Sequence, residues 1–422
     1  MPLQNQTISD GVNFLSIEDD KFKTNRLSVS FVLPLDAKTA SANAILPHIL
    51  RHSCKKYPDF TALNRRLCDL YGARLYANGS KIGDNQVISL SIAAIDDRFA
   101  LEKESVTLEC AGLLCSLLFE PLLENNTFVQ SDFDAEKRQL VEEIENEITD
   151  KRTYARNRLR EQMCKGEPFA VGVLGSRETA SALTNGQATQ SFERMLKESR
   201  IQIIMSGTGD SQPVTDAFKN GLKSIKRTPK TTQNKIVSTV GELRSFGDTL
   251  DVNQAKLVMG FRTGIAEPSD DVFAARLMTA VLGGTPHSRL FLNVRERLSL
   301  CYYCAAGYDK NKGILTVDSG LNMENVKPAK EEVMNQLAIL KSGDFSDDEV
   351  ISAKLSVKNS YGTLGDNQGA LSAYYLGQIM DKEILTPSES AEKIEAVSRE
   401  EIIKSAQKVL LDSVYVLAPQ VQ

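Results

Sequence analysis

Leu27-Ser28-Val29-Ser30-Phe31-Val32-Leu33 reads as a β-strand, and it decides the fold because it has a counterpart, Lys256-Leu257-Val258-Met259-Gly260-Phe261. Each strand opens the same series. In the first half a helical stretch follows, then Leu67-Cys68-Asp69-Leu70-Tyr71-Gly72-Ala73, then the β-branched strand Gln86-Val87-Ile88-Ser89-Leu90-Ser91-Ile92. In the second, Asp271 to Leu282 has helical spacing with Phe273, Leu277 and Val281 on one face. Arg297-Leu298-Ser299-Leu300-Cys301-Tyr302 and the strand Gly313-Ile314-Leu315-Thr316-Val317 complete the set. Leu257 lies 228 residues after Val29, Leu300 lies 230 after Leu70, and Ile314 lies 227 after Val87. A near-constant offset over three elements is the signature of a duplicated domain.

Further echoes agree. Phe133-Asp134-Ala135-Glu136 is matched by Phe345-Ser346-Asp347-Asp348-Glu349, and each half closes on a β-rich run, Ile201 to Met205 and Ser413 to Leu417. Lys223 to Val240 is basic and polar, contains Pro229, and reads as a linker. The expected fold class is α+β: two homologous α/β-sandwich halves, each a mixed, mainly antiparallel sheet with helices packed on it. The expected domains are residues 1–222 and 241–422, joined by 223–240.

Composition narrows the class. A chain of 422 residues with 41% hydrophobic and 25% charged residues is long enough for two cores. A net charge of −5 carries no footprint for nucleic acid. Met1 to Gln6 lacks the charged and apolar regions of a signal peptide, and no apolar run reaches the roughly 18 residues that span a bilayer. The expectation is a soluble cytoplasmic protein. Seven scattered cysteines fit reduced core thiols. Cys301-Tyr302-Tyr303-Cys304 is formally C-x-x-C, but no second pair completes a four-thiolate metal site. Read as a strand, it places its cysteines on opposite faces, as inert thiols.

His48-Ile49-Leu50-Arg51-His52 is an H-x-x-R-H string. Two histidines four apart share one helix face and suffice to grip a single metal ion. Asp134 to about Lys165 reads as one long helix with Leu140, Ile144 and Ile148 as its apolar stripe, stopped by Gly166 and Pro168. Glu136 and Glu143, seven apart, lie on one face of it, and either can add a carboxylate to the histidines. Three readings stand: a zinc site, an Arg51–carboxylate pair with the guanidinium in the metal's place, or two ordinary histidines facing a solvated acidic helix.

These residues resemble the pitrilysin/insulinase family of metallopeptidases. Its motif is H-x-x-E-H, followed roughly 70–80 residues later by a helix whose glutamate completes the zinc site. The resemblance makes His48, His52 and Glu143 the metal ligands and Glu136 a residue behind them. Asp150-Lys151 and Gly175-Ser176 stand where the family continues toward its next helix and loop. Two departures matter. The interval from His52 to Glu143 is 91 residues, and Arg51 replaces the glutamate that takes a proton from zinc-bound water. An arginine cannot serve as that base, and the exchange moves the local charge by two units beside a divalent cation.

The second half holds Gly283-Gly284-Thr285-Pro286-His287-Ser288-Arg289-Leu290-Phe291 and then Asn293 to Tyr302. Two glycines at a helix end read as a C-cap and turn, with His287 structural or exposed. The string is similar to the family signature G-G-x-x-x-S-x-L-F-x-x-x-R-E-x-x-x-L-x-Y, in which the arginine and tyrosine hold the substrate peptide. Arg295 and Tyr302 match them. A guanidinium can orient peptide carbonyls and a phenol can donate to the same atom. The competing reading pairs Arg295 with a neighbouring carboxylate and uses Tyr302 to fill a sheet.

The resemblance covers nearly the whole chain, and it extends to the bacterial members described as associated with elongation-factor P modification. It implies a non-catalytic, zinc-peptidase-like subunit that binds peptide and pairs with an active H-x-x-E-H homologue, or forms a homodimer. No catalytic residue remains, and zinc is in doubt. A zinc endopeptidase acting itself and a scaffold without a peptide role are the alternatives.

Overall fold

The computed structural model describes residues 3–420. Its strands in chain order are β1 (Leu3–Ser9), β2 (Val12–Glu18), β3 (Thr24–Pro34), β4 (Arg74–Ile82), β5 (Asn85–Ile95), the short pair β6 (Leu123–Glu124) and β7 (Thr127–Phe128), β8 (Arg200–Gly207), β9 (Arg244–Leu250), β10 (Ala255–Arg262), β11 (Tyr303–Asp309), β12 (Ile314–Leu321) and β13 (Leu410–Pro419). They form two large sheets, ordered β1-β2-β8-β3-β5-β4 and β11-β12-β10-β13-β9.

The sheets repeat one topology. In the first, β3 lies between β5 and β8 and is antiparallel to both, with Val29 opposite Leu90 and Ile203. In the second, β10 lies between β12 and β13, also antiparallel, with Leu257 opposite Ser319 and Val416. The hairpin β4–β5 matches β11–β12. The one parallel pairing of each sheet also matches, β2 with β8 and β9 with β13. Among the described residues, β1 and the separate β6–β7 pair have no counterpart in the second half. The duplicated, mainly antiparallel α+β fold is therefore present, with five strands of each large sheet in correspondence.

The helices that matter below are α1 (Ala40–Ala44), α2 (Leu46–Leu50), α3 (Phe60–Asp69), α4 (Val106–Phe119), α5 (Gln130–Asn146) and α6 (Lys151–Met163). The chain divides into two compact units. One holds the segment ending at Glu145, Val171–Gln233 and Gln368–Ile379. The other holds Asn146–Ala170, Asn234–Asn367 and the segment from Met380 on. The unit boundaries thus do not run through residues 223–240 alone.

In the first unit, β3, β5 and β8 bury Val29, Phe31, Leu90, Ile92, Ile201 and Ile203 against α4 and its neighbours in one apolar core. Helix α4 is apolar nearly all round, as a helix covered on more than one side must be. In the second unit, α6 lays Ala155 and Leu159 on Val258, Tyr415 and Leu417 of β10 and β13. Burying a side chain such as Leu159 contributes about 1.5–3 kcal/mol. Gly260 admits this helix: a Cβ there would lie 2.4 Å from Met163 Sδ.

The long helix expected from Asp134 to Lys165 is in fact two. A 3₁₀ turn, Glu147–Thr149, separates α5 from α6, and the Asp150 carboxylate caps α6 by accepting from the Arg152 and Thr153 amides. An N-cap aspartate outside the helical backbone region starts a new helix and satisfies orphan donors. Its two halves serve different cores, so Ile148, expected in the stripe, is 36% exposed.

Candidate functional site

Helix α2 carries His48 and stops at Leu50, with Arg51 as its C-cap residue. His52 therefore stands in the turn beyond, not on the same helix as His48, as the H-x-x-R-H spacing led us to expect. Pro47, which lacks an amide proton, sits in the first turn of this short helix. Past the turn the chain closes a bridge between Cys54 and Tyr57.

Opposite runs α5, whose buried residues are Phe133, Glu136 and Leu140. Glu136 thus occupies the apolar stripe and is only 3% exposed. A carboxylate in such a place needs a partner. The partner is His52, whose Nε2 lies 2.6 Å from Glu136 Oε1, and whose Nδ1 faces Asp132 Oδ1 at 3.9 Å. Asp132 and Glu136, one turn apart on α5, thus bracket the imidazole. The Phe60 ring at the start of α3 covers it, 6.0 Å between centroids.

The electrostatics follow. Burial alone would raise the Glu136 carboxyl, but the His52 hydrogen bond and the charges of His52, His48 and Arg51 hold it below its ordinary range. Burial pushes His48 down; Glu136 opposes this, Arg51 reinforces it, and Glu143 (upward) and His52 (downward) add smaller effects.

Two expectations need correcting. Glu143, the expected third ligand, is exposed and forms no hydrogen bond or ion pair among the described residues, while Val141 and Ile144 beside it pack on the core. Glu136, placed behind the ligands, is the carboxylate in direct contact. The Arg51–carboxylate pair is also not formed. Arg51 makes no ion pair among the described residues; its cation stands at the C-terminal end of α2, where the helix dipole favours it, and Glu136 is already engaged. Sequence reading missed Asp132, although its i, i+4 spacing to Glu136 was there to find.

These donors do not fit a zinc ion as arranged. His52 and Glu136 hold each other, and a cation stands beside His48. Among the described residues no group of three or more His, Cys, Asp or Glu side chains is placed to hold a metal.

The second set lies on irregular backbone. Gly283 and Gly284 end a π-helical turn, Ala280–Gly284, and Arg295 lies in another, Phe291–Arg297. Such turns recur at functional sites. The Arg295 guanidinium sits 4.6 Å from the Phe291 ring centroid and 3.6 Å from the Glu296 carboxylate. That ion pair is at the surface, where it contributes little. Tyr302 is 56% exposed and its hydroxyl donates to Asn322 Oδ1 at 3.3 Å. The tyrosine that packs on the sheet is its neighbour Tyr303, beneath the Arg152 guanidinium at 4.4 Å. His287 is exposed in a turn.

Fold and site together define a metallopeptidase scaffold from which the hydrolytic base is gone. Residues 182–357 match the family model described as the peptidase M16 inactive domain. The chain is 30% identical over 401 residues to the probable inactive metalloprotease YmfF of Bacillus subtilis (strain 168), covering 95% of this chain and 94% of that one. A crystal structure of a conserved protein from Enterococcus faecalis V583 superposes with a TM-score of 0.89 at 26% identity, over 100% and 99% of the two chains. A structure of a peptidase M16 inactive domain from Pseudomonas fluorescens shares the fold at a TM-score of 0.80 and 16% identity, over 100% and 98%. The chain belongs to the M16 peptidase family, as one of its inactive homologues. No helix of the described residues is long and apolar enough to cross a membrane.

Proposed function

We propose that this chain is a non-catalytic, peptide-binding subunit that works in the cytoplasm beside an active homologue with an intact H-x-x-E-H motif. It contributes Arg295 and Tyr302 to the peptide, while any catalytic zinc belongs to the partner. The observation that carries the reading is the contrast between the two sets of residues. His52 is closed on Glu136 and Asp132, whereas Tyr302 is open and Arg295 is held at the surface by the Phe291 ring and a long pair with Glu296. Exposed Leu292, Leu298 and Met323 adjoin Arg295, Tyr302 and Asn322 in sequence and offer apolar surface for peptide side chains.

The test mixes this chain with a purified active homologue and follows peptide cleavage. Arg295→Ala and Tyr302→Phe in this chain should each lower kcat/KM of the mixture by about 10- to 100-fold, the scale for losing an oriented donor. Activity that is indifferent to both substitutions, or to the presence of this chain, overturns the proposal.

A further inference from the structure

The first large sheet turns a polar face away from its core. Leu27, Val29 and Phe31 of β3 and Ile88, Leu90 and Ile92 of β5 enter the core. By alternation, Arg26, Ser28 and Ser30 of β3 and Ser89, Ser91 and Ala93 of β5 line the opposite face. Strand register brings two arginines together there. Arg26 and Arg74 both stand directly opposite Ala93, one on each side of β5, and two strand spacings set them roughly 10 Å apart. In the next row Ser28 and Tyr76 flank Ser91 in the same way. A small residue between two long cations, with hydroxyls and a ring beside it, forms a basic notch.

Arg26 is half-buried, and no carboxylate answers it. Its Nη2 donates to Ser91 Oγ at 2.6 Å, and its guanidinium lies over the Tyr76 ring, 4.8 Å from the centroid. Burial lowers it from its ordinary value, and Tyr76 opposes that. Among the described residues neither Arg26 nor Arg74 has an ion pair. Buried Arg262, by contrast, is matched by Glu167 and Asp412.

Two buried polar atoms here are unanswered as well. Arg26 Nε and the Oγ of fully buried Ser206, which stands opposite Arg26 on β8, have no hydrogen-bond partner among the described residues. Taking a cation and its donors out of water without an acceptor is costly, so the place is built for an anion. Exposed Arg74 and Tyr76, the latter 41% exposed, leave it open to solvent. Planar guanidinium forks match a carboxylate, and the Tyr76 ring suits the methylene stem of a side chain that carries one.

We propose that Arg26 and Arg74 form a carboxylate-binding site of the first unit, which takes an acidic side chain or the free C-terminus of a peptide. Ser91 and Tyr76 hold Arg26 in place, and Arg74 reaches the ligand from the other side of Ala93. The choice of a peptide as ligand rests on the peptide-binding reading above; the site itself uses neither Arg295 nor Tyr302.

The test titrates the full-length protein against a labelled, unstructured peptide rich in glutamate and the same peptide with glutamine. Each carries a free or an amidated C-terminus, and fluorescence anisotropy gives Kd. Removing the carboxylate that binds should weaken binding about tenfold, the low end for hydrogen bonds to a charged group. A loss on exchanging glutamate for glutamine assigns the side chain, and a loss on amidation assigns the chain end. Arg26→Gln and Arg74→Gln should each bring the acidic and neutral Kd values together. Arg74 is exposed, so its variant tests the site without touching the core. Equal Kd for all four peptides, or a difference that survives Arg74→Gln, overturns the proposal. Where no peptide binds at all, the peptide reading fails by itself and glutarate judges the site. A shift of the Arg26 Nε–H NMR signal on adding glutarate then supports the site, and an unmoved signal overturns it.

Discussion

His52 Nε2 lies 2.6 Å from Glu136 Oε1, and Glu136 sits in the buried stripe of α5. The pair is therefore structural in effect, whatever its descent. Glu136→Gln should cost about 1–3 kcal/mol, the usual loss when a buried charged hydrogen bond is weakened. Glu143→Gln, on an exposed turn, should stay within about 0.5 kcal/mol. Urea unfolding of the two variants checks this; equal losses would refute the assignment of Glu136 over Glu143.

Acid should destabilise the protein in two steps. His48 binds its proton more weakly when folded than its ordinary 6.5, and Glu136 more weakly than its ordinary 4.5. The unfolded chain then takes up more protons as pH falls, so stability is full above each ordinary value and is lost below it. His48→Gln should flatten the decline below 6.5, and Glu136→Gln the decline below 4.5. Stability curves measured from pH 8 to 4 give the answer, and an unchanged acid limb in both variants would contradict it.

Arg51 tests whether the degenerate motif retains hidden competence. Arg51→Gln removes a cation that pushes His48 down, so the His48 imidazole should titrate at higher pH in NMR spectra. Arg51→Glu restores the family's base, yet the isolated variant should remain without peptidase activity while His52 and Glu136 hold each other. Turnover by that variant would mean the site lacked only its base.

A buried network offers the sharpest stability test. Arg262 and Lys312 are 2% and 0% exposed, and both reach Glu167, at 2.6 Å and 3.1 Å. Asp412 completes the set, accepting from Arg262 at 3.2 Å and pairing with Arg244. Glu167→Ala leaves two cations without their shared carboxylate and should destabilise by about 3–5 kcal/mol. Thermal unfolding that moves by less than a degree would show the network to be dispensable.

The sheets were legible because strand pattern and offset depend on local chemistry repeated twice. Arg295 and Tyr302 were singled out because several residue types recur at fixed spacing, and their role rests on the proposal above. Helical period assigned Glu136 and Glu143 to one face and left either free to meet the histidines, and the resemblance put Glu136 behind; only the packing of α5 shows Glu136 in contact with His52. The break before α6 turned on one capping aspartate, Asp150, inside an otherwise helical pattern. The turn before β11 depends on a left-handed Ser299, a conformation that serine does not advertise. The Arg262–Glu167–Lys312 network joins residues far apart in sequence, where no period reaches.

The division into units has a bearing on synthesis. Gln368–Ile379 belongs to the first unit, where Gln368 donates to the Thr24 and Ser206 carbonyls at 2.7 Å and 2.9 Å. That unit is therefore incomplete when its last strand, β8, leaves the ribosome. At roughly 5–20 residues per second, it waits about 10–30 s for this segment. Over that interval the strand ends at Thr24 and Ser206 lack their partner, and folding of the first unit cannot finish until the second unit's Asn234–Asn367 has been translated.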